Sequence, residues 1–160
     1  MDFTHLSKKN QPKMIDVGDK KISQRKAIAK ATMFLGEELI NLFENNELVT
    51  KKGAVFQTAI IAGIQAVKKT HELIPMCHPI LIDGIEIDIN IISKTDIELF
   101  CEVKMEGKTG VEMEALTGVS TAALTVYDMC KSVSKTMVIK EILLVEKTGG
   151  KSDYKNQKLK

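Results

Sequence analysis

Between Ile85 and Met105 the chain changes side at every residue, and this stretch limits its possible folds more than any other. Ile85, Ile87, Ile89 and Ile91 alternate with Glu86, Asp88 and Asn90. After a polar break at residues 93–96, Ile97, Leu99, Cys101, Val103 and Met105 alternate with Glu98, Glu102, Lys104 and Glu106. A period of two puts apolar side chains on one face of a pleated strand and charges on the other. The stretch therefore predicts a hairpin of two half-buried strands, one face dry and one wet.

The remaining elements must cover that dry face. Lys26, Ile28, Lys30 and Thr32 alternate with Ala27, Ala29, Ala31 and Met33, which fits a strand with a small-residue face, although the alanines also suit a helix. Leu39, Ile40, Leu42 and Phe43 predict a helix over 36–45. Val55, Ala59, Ala62, Ala66 and Val67 predict another from 53 to about 71, whose narrow stripe permits close approach of a helix or a subunit. Gly107 breaks the hairpin, a long helix is predicted from 109 to about 133, and a last strand from 137 to 145. The order β-α-α-β-β-α-β predicts an α+β, ferredoxin-like sandwich: a mainly antiparallel sheet with helices packed on one face. At 160 residues this is one domain, read as 21–150. Residues 1–20 read as a mobile N-terminal arm and 151–160 as a lysine-rich, frayed tail.

Composition narrows the function. A net charge of +2 and a single arginine, Arg25, speak against a nucleic-acid partner or a polybasic membrane anchor. The most apolar run, 54–67, is too short to span a bilayer and contains Gln57, Thr58 and Gln65. Three cysteines without a CxxC pair give no disulfide framework. With no apolar leader in residues 1–13, the expected location is the cytoplasm.

Several short stretches could carry chemistry, and each has an ordinary structural reading beside it. Gly107-Lys108-Thr109 and Gly150-Lys151-Ser152 lack the upstream glycine of a phosphate loop, having Glu102 and Val145 there instead. The stretch 148–152 still suits an anion through its N–H groups and lysines, or is a fraying strand end. Pro75 and Pro79 hold Met76-Cys77-His78 out of helix, either as a site or as a buried cysteine beside a surface histidine. No second Cys/His pair supports a metal there. Thr109 and Glu112 read as a helix capping box, with Glu114 in the first turn; the two carboxylates beside that glycine-flanked turn could also grip a ligand's donor groups. Asp128 and Lys131, at i and i+3, are a surface ion pair or an acid/base pair. Lys51, Lys52, Lys68 and Lys69 bracket one helix as solvated lysines or as part of a phosphate grip.

Taken together, these stretches resemble a known family. Met14-Ile15-Asp16-Val17, Lys52-Gly53, Ala62-Gly63-Ile64-Gln65-Ala66 and Leu73-Ile74-Pro75-Met76-Cys77-His78-Pro79 occur in order. They are followed by the motif from Gly107 to Thr117, the motif from Ala123 to Lys131, and Lys147-Thr148-Gly149-Gly150-Lys151-Ser152. From about residue 14 to 152 the chain is similar to the molybdenum cofactor biosynthesis protein C family, MoaC. It departs where Met76 replaces a commoner leucine and Thr148 a commoner serine.

The resemblance implies an enzyme, a phosphorus–oxygen lyase. It would rearrange a cyclic dihydroguanosine triphosphate, made from GTP by a radical-SAM partner, into cyclic pyranopterin monophosphate and pyrophosphate. It implies a homohexamer, a trimer of dimers, with sites at the dimer interface. By position, Asp128 and Lys131 match the family's catalytic pair and Lys52 its third catalytic group. Met76, Cys77, His78, Met113 and Glu114 match substrate-binding segments, and Arg25, Lys68, Glu112, Lys147 and Lys151 fall along its charged pocket. The chemistry is redox-neutral, so no resident cofactor or metal is expected, Mg²⁺ entering at most as a companion of the triphosphate.

Overall fold

The computed structural model describes residues 11–157. The calls on residues 1–10 of the arm and 158–160 of the tail lie outside the described residues. Strand β1 (Ser23–Phe34) leads to a one-turn helix α1 (Glu37–Ile40), the short strands β2 (Val49–Thr50) and β3 (Gly53–Ala54), helix α2 (Val55–Lys68) and the turn α3 (Thr70–Leu73). Strands β4 (Gly84–Ile91) and β5 (Asp96–Gly107), helix α4 (Glu112–Cys130), β6 (Val138–Thr148) and β7 (Tyr154–Lys155) follow.

The main sheet has the order β4-β5-β1-β6-β7, and every neighbouring pair is antiparallel. Its four long strands have the ferredoxin-like arrangement, in which the first strand lies between the third and the fourth. The alternation in 85–105 becomes the β4–β5 hairpin, with Ile89 opposite Leu99 and Ile87 opposite Cys101. The apolar face of β5 (Ile97, Leu99, Cys101, Val103 and Met105) is buried together with Ala27, Ala29, Ala31 and Met33 of β1. Alanines on the central strand leave room for α4, whose Ala115, Val119, Ala122, Ala123 and Val126 join the same core.

The opposite face of the sheet carries charge in rows. Lys26 of β1 sits between Glu102 of β5 (3.8 Å) and Glu146 of β6 (3.0 Å). Lys30 sits likewise between Glu98 (2.8 Å) and Glu141 (3.6 Å). Lys30 is almost fully buried, so losing those carboxylates would strand its ammonium away from water.

The small-residue stripe of α2 serves contact within the chain. A Cβ on Gly63 would lie 2.9 Å from the Gly118 carbonyl oxygen of α4 and 2.5 Å from Cδ1 of Ile87. The helices run antiparallel: the start of α2 lies near the end of α4, joined there by Lys52 and Asp128.

Four local features differ from the sequence expectation. The helix predicted over 36–45 is one turn, because Asn45 and Asn46 both take positive φ (50° and 60°) and close a tight turn at Glu44 and Glu47. The long helix starts at Glu112 rather than 109. Its N-cap is Val111, whose apolar side chain cannot cap it, and Glu112, now the first helical residue, pairs with Lys147. The helix ends at Cys130 rather than about 133, where Lys131 takes the C-cap. Residues 154–155 pair with Glu146 and Lys147, so this part of the predicted frayed tail is a strand.

Gly63→Val forces two γ-methyls into the α2–α4 contact against a backbone oxygen that cannot rotate away. The expected loss is about 2 kcal/mol or more, read as a lower urea midpoint with an unchanged slope.

Candidate active site

Lys52 lies in the turn between β2 and β3. The Thr50 hydroxyl donates to the Gly53 carbonyl (3.2 Å) and accepts from the Lys52 N–H (3.1 Å), so the turn is tied on both sides. Gly53 has φ 110°, which disfavours any residue with a Cβ. From this turn the Lys52 ammonium donates to Oδ2 of Asp128 (2.8 Å) and to the Asp128 carbonyl (3.1 Å). Asp128 is in the last turn of α4, and Lys131 reaches its Oδ1 at 2.6 Å. One carboxylate is therefore held between two ammoniums at a helix C-terminus, where cations are favoured.

The Lys131 and Lys52 hydrogen bonds push the Asp128 pKa down to about 2. Asp128 in turn raises that of Lys131. All three side chains are about half exposed (54–55%), so water screens the trio and it adds little to stability. It is an ionised, solvent-open cluster that can exchange partners with an incoming anion.

A second group lies at the other end of α4. A cavity of about 340 Å³ is lined by Ile15, Met76, Cys77, His78, Met113 and Glu114. Nε2 of His78 donates to the Ile15 carbonyl (2.8 Å), which fixes the ring and brings the segment before β1 against it. Glu114 is only 4% exposed, and its pKa is pushed up to about 7. Burial is the main cause, its own backbone hydrogen bond opposes it, and the Glu112 charge adds to it. Burial, then the Glu114 charge, raises the Cys77 thiol, which disfavours its thiolate form.

An adjoining cavity of about 260 Å³ is cationic, with Arg25, Lys108, Lys147 and Lys151 in its wall. The two cavities share Lys20, Thr109, Gly110 and Glu112. Lys147 pairs with Glu112 at 3.0 Å, and Nε of Arg25 donates to the Gly107 carbonyl at 3.3 Å. Gly149 makes the close approach possible: its φ is 81°, and a Cβ there would fall 1.7 Å from the Gln24 carbonyl oxygen. Its N–H, expected from sequence to be open to an anion, is taken by Asp153 at 3.0 Å. The pair of cavities offers a half-apolar chamber beside a cationic one, a shape suited to a flat heterocycle carrying phosphates.

The residues predicted from sequence thus form two groups within one chain. Lys52, Asp128 and Lys131 gather at the C-terminal end of α4. Met76, Cys77, His78, Glu112, Met113, Glu114, Arg25, Lys147 and Lys151 gather at its N-terminal end. Fourteen residues of helix, roughly 21 Å, separate Glu114 from Asp128. Lys68 is apart from both, beside a third cavity with Ile64, Ile80, Ile82 and Asp83.

The sequence profile of the MoaC family matches residues 14–150. The chain belongs to the MoaC family. It is 50% identical over 160 residues to the cyclic pyranopterin monophosphate synthase of Helicobacter pylori strain J99, covering 99% of this chain and all of that protein. It is also 50% identical over 153 residues to the cyclic pyranopterin monophosphate synthase of Campylobacter jejuni subsp. jejuni, covering 95% and 96% of the two chains. All of these side chains except Lys151 lie within the MoaC match, residues 14–150.

Sequence reasoning did not single out Lys20 and Lys108, which line the cationic cavity. Lys108 gave a partial signal, since it sits in the GK[ST] triplet dismissed for its phosphate-loop spacing, and its ammonium reaches the Gly18 carbonyl at 2.5 Å. Lys20 gave none, because only the fold brings the segment before β1 to the cavity.

Glu114 carries a pH signature. As a carboxyl raised from 4.5 to about 7, it favours the folded state fully below pH 4.5. That advantage is lost as the pH rises towards 7. Glu114→Gln has no charge to bury. Its urea midpoint is expected to exceed that of the wild type at pH 8 and to match it at pH 4.

Proposed function

We propose that this chain is a cyclic pyranopterin monophosphate synthase, like its full-length relatives. It would take a cyclic nucleoside triphosphate derived from GTP and release pyrophosphate, as a phosphorus–oxygen lyase. The observation that carries this reading is the Asp128 carboxylate held between the Lys52 and Lys131 ammoniums in a chain of this family.

The local chemistry assigns roles within that reading. Asp128 stays ionised at neutral pH and is a weak base, so it orients the two ammoniums. Lys131 is held as a cation, fit to donate a proton to nitrogen or oxygen as the cyclic nucleotide opens and recloses. In the phosphate step a substrate hydroxyl attacks the α-phosphorus while its proton leaves to a base. The bond to the β-phosphate oxygen breaks, and pyrophosphate departs with the electron pair. Lys147, Lys151, Arg25 and Lys52 would stabilise that charge. Glu112 and Glu114 would accept from the guanine-derived N–H edge, with Met76, Cys77, His78 and Met113 shaping the chamber and Lys68 an outlying cation.

Two clusters roughly 21 Å apart cannot meet one small substrate in a single chain. This supports a site shared between copies, one supplying Lys52, Asp128 and Lys131 and its neighbour the cavities, as in a dimer of the proposed hexamer. The proposal includes a radical-SAM enzyme as the upstream source and the cytoplasm as the location. Among the described residues no helix is long and apolar enough to cross a membrane. The net reaction is redox-neutral, so we propose no resident cofactor, with Mg²⁺ only as an escort of the triphosphate. Turnover is then expected to survive EDTA.

Incubation with the cyclised GTP intermediate, followed by oxidation of the product to a fluorescent pterin, tests the activity. Lys131→Ala and Asp128→Ala are expected to lower turnover at least a hundredfold with the assembly intact. Mixing tests the shared site. His78→Ala and Asp128→Ala chains are each expected to be inactive alone. Unfolded and refolded together, they should regain about a quarter of wild-type activity, because half the pairs are mixed and one site in two is then whole. A mixture as inactive as its parents rejects the shared site.

A further inference from the structure

Lys52 has a long side chain on a short turn, and about half of that side chain is exposed. Such a group loses considerable rotamer entropy when fixed, so its aim depends on how firmly its backbone is held. The first turn of α2 provides the hold. Its N-cap, Ala54, has no side chain to offer, and no side chain at that position caps the helix. The orphan N–H groups are met from residues 47–48 instead. The Leu48 carbonyl accepts from Val55 N–H (2.9 Å). Glu47 Oε1 accepts from Phe56 N–H (2.9 Å) and from Leu48 N–H (2.8 Å), while its Oε2 accepts from Gln57 N–H (3.1 Å).

One carboxylate thus joins both ends of the excursion that holds β2, the lysine turn and β3. Glu47 itself is held by the Asn45-Asn46 turn, through reciprocal backbone bonds with Glu44 of 2.9 and 3.0 Å. Burial and then the Glu47 charge raise the Cys130 thiol at the end of α4, which puts this bracket near the helix end that carries Asp128.

We propose that Glu47 is the positioning residue for Lys52: its carboxylate closes the 48–55 excursion onto the start of α2 and so aims the Lys52 ammonium at Asp128. The inference rests on the reading of Lys52 as a catalytic group. Removing Glu47 leaves two helix N–H groups unmet and frees the base of the turn.

Two measurements test it. In the first, kcat is measured for wild type, Glu47→Ala, Lys52→Ala and the double variant. Glu47→Ala is expected to lower kcat on the order of tenfold to a hundredfold with KM nearly unchanged. Added to Lys52→Ala, it should cost less than about twofold, since its effect passes through a lysine already gone. A general structural role multiplies the loss equally in both backgrounds. In the second, the Asp128 carboxyl ¹³C resonance is followed at neutral pH without substrate. Glu47→Ala is expected to move it towards its position in Lys52→Ala, with circular dichroism and assembly mass unchanged.

Glu47→Gln keeps one carboxyl-type oxygen. It should show smaller effects of the same sign, and it replaces the alanine variant if that does not fold. An unmoved Asp128 resonance in a folded Glu47 variant, or losses that multiply in the cycle, overturns the proposal. A wild-type protein that fails to convert the cyclic nucleotide counts against the functional reading and leaves the resonance test standing.

Discussion

The closeness of α2 and α4 is the constraint on which the site depends. With Gly63 against Gly118, the two helices pack antiparallel over the sheet at a distance no larger residue permits. That contact sets the turn before α2 over the last turn of α4, so Lys52 meets an aspartate 76 positions along the chain. The apolar faces of β1, β4 and β5 fix the platform beneath, and their burial provides the main driving force for folding.

The same helix that unites the trio also divides the candidate site residues. Glu114, in the first turn of α4, faces a chamber where burial raises its pKa to about 7, while Asp128, in the last turn, is open and ionised at neutral pH. Two carboxyls on one helix thus end up with opposite character because one loses water and the other gains two ammoniums. The cations are divided too: Lys147 and Lys151 flank the chamber, and Lys52 and Lys131 flank Asp128.

Much of this was legible in the sequence, for physical reasons. Period-two alternation marked β4 and β5 because one sheet face is dry, and the element order pointed to a ferredoxin-like sandwich with helices on that face. The alanines of 27–31 allowed either a strand or a helix, and cross-strand pairing with β5 and β6 decided for a strand. The helix over 36–45 was overextended because its apolar spacing continues past the point where Asn45 and Asn46 reverse the chain. The capping box at Thr109 and Glu112 gave way because the helix begins at Glu112 itself, where the carboxylate pairs with Lys147. Strands of two residues, such as β7, have no periodicity to read. The spacing of Asp128 and Lys131 marked an ion pair, and the resemblance marked Lys52 and the charged pocket, but only the fold shows which of these side chains meet.

The charged rows on the outer face of the sheet bear on how faithfully β1 is installed. If the strand shifted by one place, Lys26 and Lys30 would turn beneath the helices and Ala27, Ala29 and Ala31 would turn to water. Two carboxylate rows would lose their counter-ions in the same move. Misthreaded sheets are therefore penalised from both sides at once, and the central strand has one arrangement that satisfies core and charge together.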